Sequence, residues 1–230
     1  MRISRRLEAV AAMVSPCKKV ADVGTDHGYI PIYLVENSIV TEAIAMDINA
    51  GPLDVAKRNI ITHQVLESIE TRLSDGVESL LANEVEAVVI SGMGGNLIIK
   101  ILSEGAQVLK TVQELVLQPQ SEIAEVRKFL QGNGYSITAE NMICEDGKFY
   151  PIIKVIHGEM KLTRQIDVSY GPCLLRDRNP VLKQFLEKER DTLLEIEERL
   201  LLIGGTKAGQ REEEIKQEMC RNEEARKEYE

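Results

Sequence analysis

The chain has 230 residues, 43% hydrophobic and 28% charged, with a formal net charge of -9. That length holds one α/β domain plus an appendage, and the apolar share supports a sizeable core. No apolar run approaches the roughly 20 residues that span a bilayer. The amphipathic, Arg-bearing stretch from Met1 to Val14 lacks the continuous apolar stretch and small-residue cleavage site of a signal peptide. A cytoplasmic protein without a membrane partner is expected. The cysteines Cys17, Cys144, Cys173 and Cys220 are not at metal-ligand spacing, and His27, His63 and His157 lie far apart. Reduced, structural thiols and no metal are therefore expected. The negative charge argues mildly against nucleic acid as a partner. Its distribution is uneven, however: acid accumulates from Glu187 to Glu214, while Arg2, Arg5, Arg6, Lys18 and Lys19 cluster near the start.

In chain order, Lys18 to Gly24 is a short apolar run ending in glycine, which predicts a buried strand. Ile30 to Asn37 reads as a helix with Pro31 in its first turn, and Glu42 to Ile48 as a second strand. A helix over Pro52 to Gln64, with Leu53, Ala56 and Ile60 on one face, precedes a third strand over Ser68 to Leu73. The fourth strand is Glu86 to Gly92, followed by one apolar helix from Asn96 to Leu109. Glu114 to Gln118 is the fifth, followed by a helix from Ser121 to Gln131 with Ser121 as its cap. Tyr135 to Cys144 and Lys148 to Ile156 are strands joined by a hairpin turn at Glu145-Asp146-Gly147.

Strands alternating with helices imply a parallel sheet covered on both faces, and the closing hairpin adds one antiparallel strand. The expected fold class is α/β: a Rossmann-like domain over residues 1–160 and a C-terminal segment over 161–230. In that segment Leu182, Leu186, Leu193, Ile196, Leu200 and Ile203 form a heptad-like stripe interrupted by Glu189. Gly204-Gly205 breaks it, and Thr206 to Glu230 is helix-prone with a weaker stripe of Ile215, Met219 and Tyr229. Two helices folding back as an antiparallel coiled coil are expected; a frayed acidic end is the alternative.

The first strand runs into Asp22-Val23-Gly24-Thr25-Asp26-His27-Gly28, where doubly wound sheets bind a nucleotide. Gly24 and Gly28 give G-x-x-x-G, and Asp26 stands where a dinucleotide site has its second glycine. A carboxylate there repels a pyrophosphate. It suits S-adenosylmethionine, which carries a sulfonium and an ammonium but no phosphate. A plain strand-to-helix turn is the alternative for this motif. Asp47, just over twenty residues beyond Gly24, can accept hydrogen bonds from both ribose hydroxyls of an adenosine. Asp75-Gly76 offers an acidic turn for the adenine amine, or serves only as a turn. The glycines of Ser91-Gly92-Met93-Gly94-Gly95 leave room for a ligand or for close backbone approach. Gln118-Pro119-Gln120 places two carboxamides beside the same cleft. The Asn-Pro-Pro-aromatic segment of amino-group methylating enzymes is absent. A ring nitrogen has a free lone pair, so positioning supplies much of the catalysis there.

Together these segments resemble the TrmK family, bacterial tRNA methyltransferases acting on N1 of adenine 22. The matching text is Ser4-x-Arg6-Leu7, ADVGTDHGYIPIYL (Ala21 to Leu34), Gly51-Pro52, ISGMGGNLI (Ile90 to Ile98), LQP (Leu117 to Pro119), EDGKFY (Glu145 to Tyr150) and YGPCLL (Tyr170 to Leu175). The chain departs from the family at Gln120, where Asn is usual, and at Pro151, where Glu is usual. The resemblance implies S-adenosyl-L-methionine as cofactor and tRNA as substrate. On this reading Asp22, Gly24, Asp26, Gly28, Asp47, Asp75, Gly76, Gly92, Met93 and Gly94 hold the cofactor. Asp26, His27, Gln118 and Gln120 surround the reacting base, with Gln118 and Gln120 orienting the adenine. For His27 a structural hydrogen-bonding role competes with a chemical one. Arg5, Arg6 and Tyr29 meet the substrate, the arginines at phosphates. A monomer is favoured. The rival readings are a methyltransferase for another RNA, a protein or a small molecule, and a non-catalytic adaptor that only binds the cofactor. A dehydrogenase is disfavoured by Asp26.

Overall fold

The structure is a computed structural model and describes residues 1–203 and 206–230. The expected Gly204-Gly205 break lies outside the described residues. The chain forms two compact units, Met1–Met160 and Lys161–Glu230.

In the first unit the N-terminal stretch is helix α1 (Arg5–Ala11), capped by Ser4 Oγ accepting from Leu7 N–H at 3.3 Å. The alternation then runs β1 (Cys17–Val23), α2 (Tyr29–Glu36), β2 (Val40–Asp47), α3 (Ala50–Thr62), β3 (Ile69–Leu73) and β4 (Ala87–Met93). It continues through α4 (Gly95–Glu104), α5 (Ala106–Leu109), β5 (Glu114–Pro119), α6 (Ile123–Gly132), β6 (Tyr135–Glu145) and β7 (Lys148–His157). The seven strands form one sheet in the order β3-β2-β1-β4-β5-β7-β6. Strands β1 to β5 pair in parallel, and β7 is antiparallel to both β5 and β6. The expected five strands and terminal hairpin are thus present. The turn between β6 and β7 has Asp146 at φ 51° and Gly147 at φ 74°, the left-handed pair that an Asp-Gly hairpin favours.

Period-two side-chain alternation divides the core between the two faces of the sheet. Ala21, Ile44, Val88, Ile90, Leu115 and Leu117 pack with Ile98, Leu102 and Val126 on one face. Val20, Ala43, Val89 and Val116 pack with Val10, Ile32 and Ile60 on the other. Each fully buried Ile, Leu or Val contributes about 1.5–3 kcal/mol relative to exposure, which makes this two-faced burial the main cohesion of the sheet.

Two local expectations require correction. The single helix over Asn96–Leu109 is two, α4 and α5, broken at Gly105. A Cβ at that position would stand 2.1 Å from a Val77 methyl carbon, so the chain turns where only glycine fits. Ser121 does not cap α6: the capping position is Glu122, at φ 48°, without a side-chain cap bond, and the Ser121 hydroxyl turns to the Glu122 carboxylate. Pro151 sits inside β7, but the register of β7 on β5 stops at Ile153, so its missing N–H costs that ladder nothing.

The second unit contains two short helices absent from the sequence reading, α7 (Gln165–Tyr170) and α8 (Pro172–Arg176). The long helices α9 (Pro180–Ile203) and α10 (Thr206–Lys227) follow. Asn179 caps α9, its Oδ1 accepting from Val181 N–H at 2.9 Å and Leu182 N–H at 3.1 Å. The end of α10 returns to the start of α9: Asn222 Nδ2 donates to Leu186 O at 2.9 Å and Tyr229 OH to Asn179 O at 3.0 Å. The pair is therefore antiparallel, and α10 stays helical to Lys227. Glu189, which interrupts the apolar stripe, accepts from Tyr170 OH at 2.7 Å and from Asn222 Nδ2 at 2.9 Å. The gap in the stripe is the place where three elements share one polar contact.

Candidate active site

The carboxyl ends of β1, β2, β4 and β5 open into a cleft of about 670 Å³, with the loop after β3 as a further wall. It lies where the strand order reverses between β1 and β4, the position at which open parallel sheets bind ligands.

Asp22 forms its floor and is buried. Burial pushes its carboxyl up to about 6, with the charge of Asp47 adding to the effect. Gly24, at φ 73°, turns the chain under Met93, and a Cβ there would come 2.1 Å from Met93 Cε. Asp26 reaches the cleft with its side chain 81% exposed and meets His27 Nδ1 at 2.6 Å. Asp47 ends β2; its Oδ1 accepts from Asn49 N–H at 2.7 Å, leaving Oδ2 for a ligand. Asp75, Gly76, Gly92 and Met93 also line the cleft, as does Tyr29. Gly76 at φ 54° passes Ile101 where a Cβ would stand 3.2 Å from two of its carbons.

Five expected site residues are not part of this lining: His27, Gly28, Gly94, Arg5 and Gln118. His27 has φ 61°, its carbonyl accepts from Asn59 Nδ2 at 2.8 Å, and its ring stacks on Tyr29 with centroids 5.2 Å apart. These contacts give it a structural part in the turn. Gly28, at φ 69°, caps α2 against Ala56. Gly94 caps α4 beside Ser121. Arg5 is exposed and outside the cleft.

Gln118 is fully buried. Its Oε1 accepts from Arg6 Nη1 at 3.0 Å and Gly92 N–H at 3.1 Å, and its Nε2 donates to Pro119 O at 3.1 Å. The expectation that Gln118 touches the adenine is corrected: its polar atoms are engaged inside the wall. Gln120 does line the cleft, held by its backbone N–H donating to Met93 O at 2.8 Å. Arg6 also lines it, with its guanidinium carbon 5.7 Å from the centre of the Tyr150 ring.

The sequence reading missed Ser74, Ile48, Leu97, Lys100 and Ile101 in the lining. Leu97 and Ile101 are four apart on α4, a spacing that could have marked one helix face toward the site. Ile48 directly follows the acidic residue that ends β2 and is 57% exposed, unusual for isoleucine.

The cleft suits a cationic nucleoside. Four carboxylates line it, from Asp22, Asp26, Asp47 and Asp75, against two cations, Arg6 and Lys100. Glycines at positive φ allow close backbone approach, and the carboxylates oppose a pyrophosphate. Among the described residues no group of histidines, cysteines or carboxylates could hold a metal ion.

Fold and cleft together define a Rossmann-like, S-adenosylmethionine-dependent methyltransferase. The family model TrmK, tRNA (adenine(22)-N(1))-methyltransferase, matches residues 20–224. The Bacillus subtilis tRNA (adenine(22)-N(1))-methyltransferase is 32% identical over 198 residues, covering 84% of this chain and 83% of the relative. A Streptococcus pneumoniae protein solved in complex with S-adenosyl-L-methionine superposes with a TM-score of 0.86 at 36% identity, over 98% of this chain and 100% of that one. Mycoplasma capricolum TrmK bound to S-adenosyl-homocysteine superposes at 0.85 with 26% identity, over 99% of each chain. The chain belongs to the TrmK family.

Proposed function

We propose that this chain methylates N1 of adenine 22 in tRNA, with the cleft divided into a donor half and an acceptor half. The observation that carries the reading is the juxtaposition of an acidic, glycine-lined pocket with Gln120 and Arg6 at its mouth. In the donor half Asp22 faces the ammonium, Asp47 Oδ2 the ribose hydroxyls, and Asp75 the adenine amine, between the apolar walls of Ile48 and Ile101. When bound, S-adenosylmethionine supplies an electrophilic methyl group on a sulfonium.

In the acceptor half Gln120 accepts from the exocyclic amine of the target adenine and turns N1 toward the donor. N1 would take that methyl group on its own lone pair while the S–CH3 bonding pair leaves on sulfur as a neutral thioether, so no residue needs to remove a proton first. The ring becomes cationic as the bond forms, and Asp26 stabilises that charge. Arg6 takes a neighbouring phosphate. The helical pair α9/α10, which we read as a short antiparallel coiled coil, serves RNA binding.

The test is nucleoside mass spectrometry after incubation with unmodified tRNA, followed by mapping of the modified site. The expected result is N1-methyladenosine at position 22. Methylation of a different nucleotide, or binding of S-adenosylmethionine without transfer, overturns the reading.

A further inference from the structure

We propose that Gln118 is a positioning residue: its buried carboxamide fixes Arg6 at the mouth of the cleft as an unneutralised cation, which grips a phosphate next to the target nucleotide. This rests on the functional reading above.

Three observations carry it. First, Gln118 Oε1 accepts two hydrogen bonds, from Arg6 Nη1 at 3.0 Å and Gly92 N–H at 3.1 Å, tying the arginine to the glycine turn of the donor half. Its Nε2 donates to Pro119 O at 3.1 Å, so both ends of the carboxamide are hydrogen-bonded. Second, the guanidinium carbon lies over the face of the Tyr150 ring, 5.7 Å from its centre. A cation held on an aromatic face and at one N–H keeps its other donors free, in the planar array that suits phosphate. Third, Arg6 makes no ion pair among the described residues. Arg72, by contrast, meets Glu70 and Glu84, and Arg127 meets Glu140.

In a cleft otherwise rich in carboxylates, the sequence supplies a neutral acceptor where a side chain hydrogen-bonds this arginine. A carboxylate there would cancel the charge that a phosphate recognises. Gln118 is too deeply buried to reach substrate, so its effect on tRNA passes through Arg6.

A double-mutant cycle on the full-length protein tests this, using Gln118→Met, which keeps volume and removes the acceptor, with Arg6→Ala and the double variant. The readouts are kcat/KM for tRNA, the salt dependence of tRNA binding, and the dissociation constant for S-adenosylmethionine. Gln118→Met is expected to lower kcat/KM about tenfold, as misplacing one positioning group does, with cofactor affinity nearly unchanged. Arg6→Ala is expected to flatten the slope of log K against log salt by roughly 0.7–0.9. The double variant should match Arg6→Ala alone, because an unmounted arginine and an absent one lose the same contact. Additive losses, or full activity in Gln118→Met, overturn the positioning role, and an unchanged salt slope in Arg6→Ala overturns the phosphate assignment.

If Gln118→Met fails to fold, Tyr150→Leu takes its place in the cycle. It should cost activity beside Arg6 and nothing in the Arg6→Ala background; loss in both overturns the proposal. A parent chain that transfers no methyl group to tRNA defeats the functional reading, and this proposal with it. An active parent with additive variants defeats the proposal alone.

Discussion

Asp22 is a buried carboxylate on a pocket floor, and replacing it with asparagine should make the ligand-free protein more stable while weakening its cofactor grip. Burial, with the charge of Asp47 adding to it, raises Asp22 from 3.8 to about 6. At about 1.4 kcal/mol per pKa unit, that rise corresponds to about 3 kcal/mol. Between the unfolded and folded values the native state still holds a proton that the unfolded chain has released. Stability therefore falls as pH climbs from 3.8 to about 6, and above that window the full penalty is present. Asp22→Asn removes the ionisation. Urea unfolding of parent and variant in parallel isolates its effect, because any packing offset of the amide is independent of pH. The advantage of the variant should grow by about 1.5 kcal/mol between about pH 5 and about pH 7.5. Calorimetry at neutral pH should show S-adenosylmethionine binding weakened by about 1.5–3 kcal/mol, the worth of a hydrogen bond to a charged partner. A stability difference that does not change with pH would refute the reasoning, since it would mean that Asp22 does not titrate as a desolvated group.

Asp47→Ala should weaken S-adenosylmethionine binding by about 1–3 kcal/mol in calorimetry, and the parent should show no NADH binding. Asp26→Asn should leave tRNA binding intact in filter assays and slow single-turnover methyl transfer. Because the Asp26 side chain is 81% exposed and screened by water, a loss of only about tenfold is expected. Gly95→Ala would bring a Cβ to 2.5 Å from Ser121 O, and thermal unfolding should report a loss of about 1–3 kcal/mol, typical of forced overpacking. Truncation after Arg178 should leave cofactor affinity within a few-fold, since every residue lining the cleft lies in the first unit, while transfer to tRNA should fall sharply.

Much of the sheet was legible because its strands are short, apolar and closed by glycine or acid. Lys18–Gly24 and Glu86–Gly92 could hardly be anything else, and Asp146-Gly147 announced its turn. The break at Gly105 was not legible, because the cause is a Val77 side chain that sequence spacing cannot bring near. Helices α7 and α8, at six and five residues, are too short for a periodic pattern to show. In the cleft, residues at strand ends were readable, since Asp22, Asp47 and Gly92 follow from the topology of a doubly wound sheet. Gln118 belongs inside the wall and not on its surface: Gln120, two positions on, lies beyond the last residue of β5, so period-two alternation does not relate the two side chains, and β4 shifts register beside them between Ser91 and Met93. Glu189 looked like a flaw in an apolar stripe, because its partners Tyr170 and Asn222 are distant in sequence.

The span from Arg6 to Gln118 also bears on the order in which the site is completed. The acidic, glycine-lined half is written between Asp22 and Ile101, so its parts leave a ribosome close together. The mouth needs Arg6 to wait for Gln118, 112 residues later, and then for Tyr150. Closing so long a loop is entropically the harder step, and it comes late in synthesis. A nascent chain thus assembles its donor pocket well before it has a mounted cation to grip a tRNA phosphate, which leaves a partly made enzyme with little means of marking RNA.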